Sequence, residues 1–372
     1  MSSVRQISLG GVKIGGGAPV VVQSMTCTRT GDADATLAQV RALVSAGCEV
    51  VRVSLPSRDD VQAFAQIVRE APVPVIADIH YEWRLALAAI DCGAAGVRVN
   101  PGTLGERHLA EVVRAAGDRR LVYGGDGREI EGPVALRIGV NAGSLPRALR
   151  ATTPGGRPPS TALVDAALAW SRKLEDWGCL DFKVSVKSSS VRDTIAAYRD
   201  LAARIDAPLH VGVTEAGTLW SGTIKSAVGI GTLLAEGIGD TVRVSLTGDP
   251  VEEVRVAWKI LAALGLRSRG PDVISCPTCG RTEIDVVALA NEVERRLAAD
   301  PRFVERALTV AVMGCRVNGP EEARHADFGI AAGAGEGQIF VRGRRVATVP
   351  ESDLVEALFG RIRRACEDEH AG

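Results

Sequence analysis

Hydrophobic and polar positions recur in one pattern through the first two thirds of the chain. Each copy consists of an alanine-rich amphipathic stretch, a glycine turn and a short β-branched run. Ala46-Gly47 precedes Val50-Val51-Arg52-Val53-Ser54, and Trp177-Gly178 precedes Phe182-Lys183-Val184-Ser185. A repeated helix–turn–strand pattern is typical of β/α units that build a parallel sheet.

Runs of this kind predict eight strands. They lie near residues 19–25, 50–55, 74–80, 96–100, 136–141, 181–187, 208–215 and 240–246. Amphipathic helices are predicted in most of the gaps, for example over 34–45, 163–177 and 251–264. Eight strands in about 250 residues match a (β/α)₈ TIM barrel. A doubly wound sheet is the second choice, but no G-x-G-x-x-G follows the first strand.

Two stretches depart from this pattern. Within 118–137, Tyr123-Gly124-Gly125-Asp126-Gly127 predicts a hairpin or loop instead of a helix. After residue 265, Arg267-Ser268-Arg269-Gly270-Pro271 is typical of a linker. The remainder predicts a helix over 285–296, a strand over 308–313, a hairpin joining 338–341 to 346–349, and a final helix over 351–366. We therefore predict a barrel domain over 1–265 and a small α+β domain over 266–372.

Composition narrows the class of protein. The 372 residues are 46% hydrophobic and carry a net charge of −1, which gives no basic field favouring nucleic acid or a membrane as partner. Apolar runs are shorter than a membrane span, and the N-terminus lacks the apolar core of a secretory signal. Eight cysteines without an export signal indicate a reducing compartment, so we expect a cytoplasmic protein.

The predicted strand ends are polar and mostly cationic, where a TIM barrel places its active site. Alternation puts Arg52 and Ser54 on the inward face. The same alternation pairs Arg98 with Asn100, Lys183 with Ser185 and Lys187, and Arg243 with Ser245, and further polar strand ends are Asp78, His80, Arg137, Asn141 and Glu215. Burying so many cations together is costly unless an anion joins them, which predicts a phosphate or diphosphate ligand.

Three of these side chains are candidates for proton transfer: Asp78, His80 and Glu215. A neutral, hydrogen-bonding His80 is an equally good interpretation.

Three cysteines form the second candidate site. Cys276-Pro277-Thr278-Cys279 can direct two sulfurs to one metal centre, and Cys315 follows 36 positions after Cys279 in a turn bounded by glycine and proline. Four thiolates are usual for a structural zinc or an iron–sulfur cluster. The spacing leaves open a cluster with one weakly held corner and a Cys₃His zinc site that uses His325.

Chain topology then predicts an assembly. The helix after strand eight runs back to the face opposite the cationic mouth, so the cysteine domain is tethered at the far end. We expect a head-to-tail homodimer in which each metal domain caps the partner's barrel.

Both halves together resemble the bacterial 4-hydroxy-3-methylbut-2-enyl diphosphate synthases of the methylerythritol phosphate route to isoprenoids. The matching stretches span nearly the whole chain in order. They are Ser24-Met25-Thr26, Val51-Arg52-Val53-Ser54, Ala77-Asp78-Ile79-His80, Arg98-Val99-Asn100-Pro101-Gly102, Arg137-Ile138-Gly139-Val140-Asn141-Ala142-Gly143, Lys183-Val184-Ser185-Val186-Lys187, Thr214-Glu215-Ala216-Gly217, Cys276-Pro277-Thr278-Cys279 and Gly314-Cys315-Arg316-Val317-Asn318-Gly319-Pro320.

The resemblance implies a [4Fe–4S] cluster held by Cys276, Cys279, Cys315 and Glu322. It implies reductive ring opening and dehydroxylation of 2-C-methyl-D-erythritol 2,4-cyclodiphosphate, with electrons from flavodoxin or ferredoxin. The implied diphosphate-binding positions are Arg52, Arg98, Arg137, Lys187, Arg243 and Ser245, the substrate-lining positions are Asp78, His80, Asn100 and Asn141, and the catalytic positions are Glu215, as acid, and Glu322.

Two positions depart from the family pattern. Glu321 stands where the family usually has glycine, which leaves open which glutamate binds iron. Cys27 stands where asparagine is common, and we expect this thiol to be inert. The competing functions are a phosphate-binding barrel lyase or synthase with a structural zinc domain, and a non-catalytic iron–sulfur sensor.

Overall fold

The computed structural model of the chain describes residues 3–118, 120–141, 160–303, 306–315 and 317–368. It divides into two compact units, Met1–Arg267 and Ser268–Gly372. The strands of the first unit are β1 (Gln6–Leu9), β2 (Val12–Gly15), β3 (Val21–Met25), β4 (Val50–Ser54), β5 (Val75–Asp78), β6 (Gly96–Val99), β7 (Arg120–Tyr123), β8 (Glu129–Gly132), β9 (Ala135–Asn141), β10 (Phe182–Lys187), β11 (His210–Val211) and β12 (Thr241–Val242).

Eight of these strands form a closed parallel barrel in the order β3-β4-β5-β6-β9-β10-β11-β12. β12 pairs with β3, and a bridge between Val184 and Leu209 joins β10 to the β11 segment. The helices around the barrel are Ala33–Ser45, Val61–Glu70, Trp83–Asp91, Pro101–Leu104, Glu106–Gly117, Ser160–Asp176, Val191–Ala202, Leu219–Ala235 and Pro250–Ala263. The TIM-barrel prediction is confirmed, and all eight strands lie where the hydrophobic pattern predicts them.

Two antiparallel hairpins accompany the barrel. β7 pairs with β8, which confirms the hairpin predicted within 118–137. The β1–β2 hairpin was not predicted, because four-residue strands carry too few alternating positions to stand out. Its side chains Ile7, Leu9 and Ile14 form one cluster with Val21 and Val50, near the amino ends of their strands. The hairpin therefore closes the barrel at the end opposite the predicted mouth.

The barrel interior contains a ring of polar side chains, which we call the polar ring. Its members come one from each barrel strand, and each is at most 8% exposed: Gln23, Arg52, Asp78, Arg98, Arg137, Lys183, His210 and Thr241. The alternate residues, such as Val51 and Val53, pack in the hydrophobic cluster outside the barrel wall. Branched apolar residues usually fill a TIM barrel. A polar ring is costly to bury and therefore indicates a ligand site.

The second unit is an α+β fold. Its sheet has the order β13 (Asp272–Ser275), β14 (Thr309–Met313), β15 (Phe328–Gly333), β16 (Glu336–Val341) and β17 (Arg344–Pro350), with the first three strands parallel and the last two antiparallel. Its helices are Val286–Ala299, Gly319–Ala323 and Leu354–Asp368. The predicted strand, hairpin and two long helices are confirmed, whereas β13 and β15 were missed. Among the described residues, no helix combines the length and the apolar character that crossing a membrane requires.

Candidate active site and cluster ligands

The centre of the polar ring is a carboxylate between arginines. Asp78 lies 3.4 Å from Arg98 and 3.9 Å from Arg52, and its Oδ2 is 3.6 Å from His80 Nε2. Burial opposes ionisation of Asp78, but the charges of Arg52, Arg98 and His80 outweigh it and lower the pKa of the carboxyl. Asp78 is thus held as a carboxylate that fixes both guanidinium groups.

The neighbouring strands add two more buried cations. Arg137 donates to Ser185 Oγ from Nε at 3.3 Å and from Nη2 at 3.2 Å. Lys183 Nζ lies 3.4 Å from both Gln23 Oε1 and Thr241 Oγ1. Neither cation has a carboxylate partner within ion-pair distance among the described residues.

Arg243 is fixed by a carboxylate that sequence reasoning missed. Glu253, from helix Pro250–Ala263, lies 3.2 Å from Arg243 Nη2 and accepts from Ser24 Oγ at 3.0 Å and from the Leu246 amide at 3.0 Å. The signal was available, because Glu253 stands on the apolar face of its helix with Val254 and Ala257. A charged residue in such a stripe indicates a buried partner.

Positive charge exceeds negative charge inside the barrel. Six buried or half-buried basic side chains face three buried carboxylates, Asp78, Glu253 and Asp240, an excess of three. The six are Arg52, Arg98, Arg137, Lys183, Lys187 and Arg243. Several of their buried N–H groups have no partner among the described residues, namely Arg98 Nε, Arg137 Nη1 and Arg243 Nε. Unpaired donors on converging arginines are what a multiply charged phosphate ester requires.

Burial lowers the pKa values of several of these basic groups. Burial, reinforced by the neighbouring arginines, lowers the pKa of Lys187 well below its ordinary value. Burial does the same to Arg137, with Arg52 and Arg98 adding to it, and burial lowers the pKa of Arg52 to about 10. An anion bound among these groups would reverse the shifts, because it favours their charged forms.

The predicted site residues fall into three groups. Arg52, Asp78, Arg98, Asn100, Arg137 and Lys187 are buried in the barrel, and Arg243 and Ser245 are half-buried. His80 and Glu215 are exposed at the strand ends. The Asn141 side chain lies outside the described residues. Asn100 accepts from the Gly102 amide at 3.1 Å and so caps the helix that follows it.

Glu215 has unusual backbone geometry. Its φ is +52°, a conformation that is uncommon for residues other than glycine. Such strain clusters at functional sites, where it directs a side chain.

Other contacts in the barrel were not predicted. Met25 Sδ lies 2.9 Å from Arg52 Nη2. His210 is fully buried, and neither ring nitrogen has a partner in the described structure. A single histidine within the apolar run 207–213 was the signal for it.

A small residue leaves room for Arg98. A Cβ added at Gly139 would lie 3.0 Å from Arg98 Nε and 3.2 Å from Nη2. Gly139→Ala should therefore displace the guanidinium and weaken binding of inorganic diphosphate about tenfold, measured by titration calorimetry. Gly231→Ala is the matched control, since its Cβ would meet only Ile260 Cγ2, at 4.0 Å, and it should bind normally. Equal affinities of the two variants would contradict a role for Arg98 in the anion site.

Two of the three candidate ligand cysteines lie at the carboxyl ends of adjacent parallel strands. Cys276 follows β13, and its amide donates to Val312 of β14. Cys276 Sγ accepts from the Gly314 amide at 3.3 Å. Backbone hydrogen bonds from Asn318, Gly319 and Val317 lower the pKa of Cys315.

The donor set fits an iron–sulfur cluster. Amides directed at sulfur stabilise the thiolates that such a cluster needs, and each ligand of a cluster binds a different iron. Within the described ranges, no three His, Cys, Asp or Glu side chains converge on the position of a single metal ion. Cys279 is exposed, and its amide donates to Thr282 Oγ1 at 3.1 Å.

Both units of the chain match models of one known protein family. Residues 4–258 match the GcpE TIM-barrel domain, and residues 272–364 match the GcpE protein C-terminal domain. The chain belongs to the GcpE family. Relatives named 4-hydroxy-3-methylbut-2-en-1-yl diphosphate synthase (flavodoxin) are similar over most of their length. The protein from Geobacter sulfurreducens is 52% identical, with 99% of both chains covered.

Two further comparisons extend this result. The GcpE-family protein of the same name from Aquifex aeolicus is 47% identical over 98% of this chain and 97% of its own. A crystal structure of dihydropteroate synthase from Stenotrophomonas maltophilia aligns with a TM-score of 0.51, covering 70% of this chain and 98% of that one. At 13% identity this likeness shows the barrel fold alone. The family resemblance predicted from sequence is confirmed, and the zinc-domain lyase is not favoured.

Proposed function

We propose that the chain catalyses the reductive ring opening and dehydroxylation of 2-C-methyl-D-erythritol 2,4-cyclodiphosphate to 4-hydroxy-3-methylbut-2-enyl diphosphate. The observation that carries the proposal is the excess of buried positive charge with unpaired N–H groups in the barrel of a GcpE-family chain. A cyclic diphosphate supplies the missing negative charge. Opening its ring leaves the diphosphate on the same cations, so the site retains its charge balance through the reaction.

The side chains divide into binding and lining roles. Arg52, Arg98, Arg137, Lys187, Arg243 and Ser245 would hold the diphosphate. Asp78, His80, Asn100 and Asn141 would line the carbon skeleton. Asp78 and Glu253 orient the arginines that they contact, which pre-organises the donors before substrate arrives.

Glu215 would be the acid. It follows β11 at the carboxyl end of the barrel, where it is exposed and held with a positive φ. Removing a hydroxyl as water requires a proton at the departing oxygen, and a carboxylic acid at the mouth can deliver it.

Cys276, Cys279, Cys315 and Glu322 would hold a [4Fe–4S] cluster. When bound, the cluster supplies electrons singly, which suits flavodoxin as donor, with ferredoxin as the other candidate. The choice of Glu322 is supported by its neighbour, because the Glu321 carboxylate lies 3.4 Å from Arg324. Among the described residues, the Glu322 side chain has no such ion pair, which leaves it available to iron.

The proposed assembly is a head-to-tail homodimer. Arg267, the last residue of the first unit, donates to the Val20 carbonyl at 2.6 Å and pairs with Glu49 at 2.8 Å. Both partners lie at the amino ends of strands, opposite the cationic mouth. The chain therefore leaves the barrel at the end opposite the cationic mouth, which favours capping of that mouth by a second copy.

Complementation tests the assembly. Neither a Cys315→Ala protein nor an Arg137→Met protein should turn over substrate alone. Mixed in equal amounts under conditions of random subunit exchange, the two should recover about a quarter of wild-type turnover, since half of the dimers are mixed and each mixed dimer has one of its two active sites intact. A mixture as inactive as its components, despite subunit exchange, would contradict the head-to-tail assembly.

Metal analysis tests the function against its alternative. Anaerobically purified protein should contain iron and acid-labile sulfide in equal amounts, and it should turn over the cyclodiphosphate with a chemical reductant. Stoichiometric zinc without sulfide would favour the lyase instead.

A further inference from the structure

Lys183 is the least exposed cation of the polar ring, with no exposed surface at all. Its partners are the neutral Gln23 Oε1 and Thr241 Oγ1, each at 3.4 Å, from β3 and β12. Nothing in the sequence resemblance places Lys183 among the diphosphate-binding residues. The lysine lies deeper in the barrel than Lys187, which follows it on the same inward face of β10.

The surroundings of Lys183 are mostly cationic. Arg137 is its register partner on β9, Arg52 of β4 acts on it through space, and the neutral His210 of the adjacent β11 belongs to the same ring. One carboxylate opposes them, that of Asp240 before β12. Asp240 already accepts from the Ser3 amide at 3.2 Å and from the Leu209 amide at 2.8 Å. A buried ammonium without its own counter-ion is strongly unfavourable.

We propose that Lys183 is a positioning residue that is an uncharged amine in the ligand-free barrel and takes up a proton from solvent when a diphosphate binds above it. The inference rests on the proposed function, because the diphosphate supplies the negative charge. Protonated Lys183 then stabilises the anion electrostatically from below Arg137 and Lys187, without touching it. The neutral partners fit both states, since Gln23 Oε1 accepts from an ammonium and Thr241 Oγ1 can donate to an amine.

The direction of the pH effect follows. Burial, together with Arg137, lowers the pKa of Lys183 well below its ordinary value of 10.5. Burial likewise lowers the pKa of His210, and Arg137, Lys187, Lys183 and Arg52 add to that shift, so His210 does not compete for the proton. The bound anion raises the pKa of Lys183. Between the two pKa values binding takes up a proton, and diphosphate affinity falls as pH rises.

Calorimetric titration with inorganic diphosphate tests this in two buffers of different ionisation enthalpy at about pH 8. Wild-type protein should take up about one proton more per bound diphosphate than Lys183→Met. Protons lost by the diphosphate itself are the same in both proteins and cancel in the difference. Lys259→Met, which removes an exposed lysine from helix Pro250–Ala263, is the control and should match wild type.

Affinity gives a second readout. Lys183→Met should weaken diphosphate binding about tenfold near pH 7, and the deficit should shrink as pH approaches the ordinary lysine pKa. If Lys183→Met does not fold, the thermal stability of the wild type still tests the role of Lys183. Its thermal midpoint without ligand should rise between about pH 7 and pH 9, and saturating diphosphate should flatten that rise.

The outcomes separate the two ideas. Failure of diphosphate to bind the wild type would overturn both the proposed function and the role of Lys183. Tight binding with equal proton uptake in wild type and Lys183→Met would overturn the role of Lys183 alone. In the wild-type experiment, a thermal midpoint that does not rise with pH would likewise overturn the role of Lys183 alone.

Discussion

Arg137→Met is expected to weaken binding of the cyclodiphosphate severely while making the protein more stable. Arg137 is 3% exposed, donates only to the Ser185 hydroxyl, and leaves Nη1 without a partner in the described structure. Its charge therefore has no directly paired carboxylate until the anion arrives. Removing it should weaken binding of the cyclodiphosphate by about a hundredfold or more, because a buried charge-assisted contact is lost.

The same change should raise the free energy of unfolding by about 1–3 kcal/mol, since the desolvation penalty of the guanidinium disappears and methionine fills much of its volume. Denaturant unfolding measures the stability, and calorimetry measures the affinity. Arg204→Met is a matched control, because Arg204 is exposed and pairs with Asp165 and Asp200. It should change neither quantity appreciably. If Arg137→Met were less stable than wild type and still bound substrate, the polar ring would be structural.

Cys315→Ala should separate catalysis from recognition. The thiolate of Cys315 is stabilised by backbone amides of residues 317–319. Losing one ligand of a cluster should remove most of the iron and sulfide, and turnover should fall by at least about a thousandfold. Cyclodiphosphate binding should stay within about twofold of wild type, because the binding cations belong to the barrel unit.

Cys27→Ala is the control for this experiment. Cys27 is exposed, and its sulfur accepts from Gln39 Nε2 at 3.1 Å. Iron, sulfide and turnover should all remain at wild-type levels. If Cys27→Ala lost iron, or if Cys315→Ala kept its full complement, the assignment of ligands would be wrong.

Much of the barrel followed from the sequence because its signal is local and repeated. Alternation within single strands was enough to place Arg52, Arg98 and Arg137 inside, and the structure joins the first two through Asp78. The β11 and β12 strands were predicted several residues too long, since they span only His210–Val211 and Thr241–Val242. Beyond them the chain bends into loops that the apolar pattern does not register.

What the sequence did not predict depends on contacts between distant residues. Glu253 reaches Arg243 from a helix, and Ser24 completes its hydrogen bonds from 229 positions away. The β1–β2 hairpin closes one end of the barrel only because its apolar side chains pack against the amino ends of the barrel strands. Lys183 was placed inward by alternation, but its lack of a counter-ion depends on its neighbours on β3, β9 and β12. The hydrophobic pattern within one element carries no information about contacts of this kind between distant elements.

Phosphorus NMR under anaerobic conditions can follow the cyclodiphosphate through the reaction and so tests the proposed activity. The sample contains the iron- and sulfide-replete protein and reduced flavodoxin. We expect the two resonances of the cyclic substrate to be replaced by those of a linear diphosphate ester, with no inorganic phosphate released. A replete protein that leaves the cyclic resonances unchanged, or that releases inorganic phosphate from them, would contradict it.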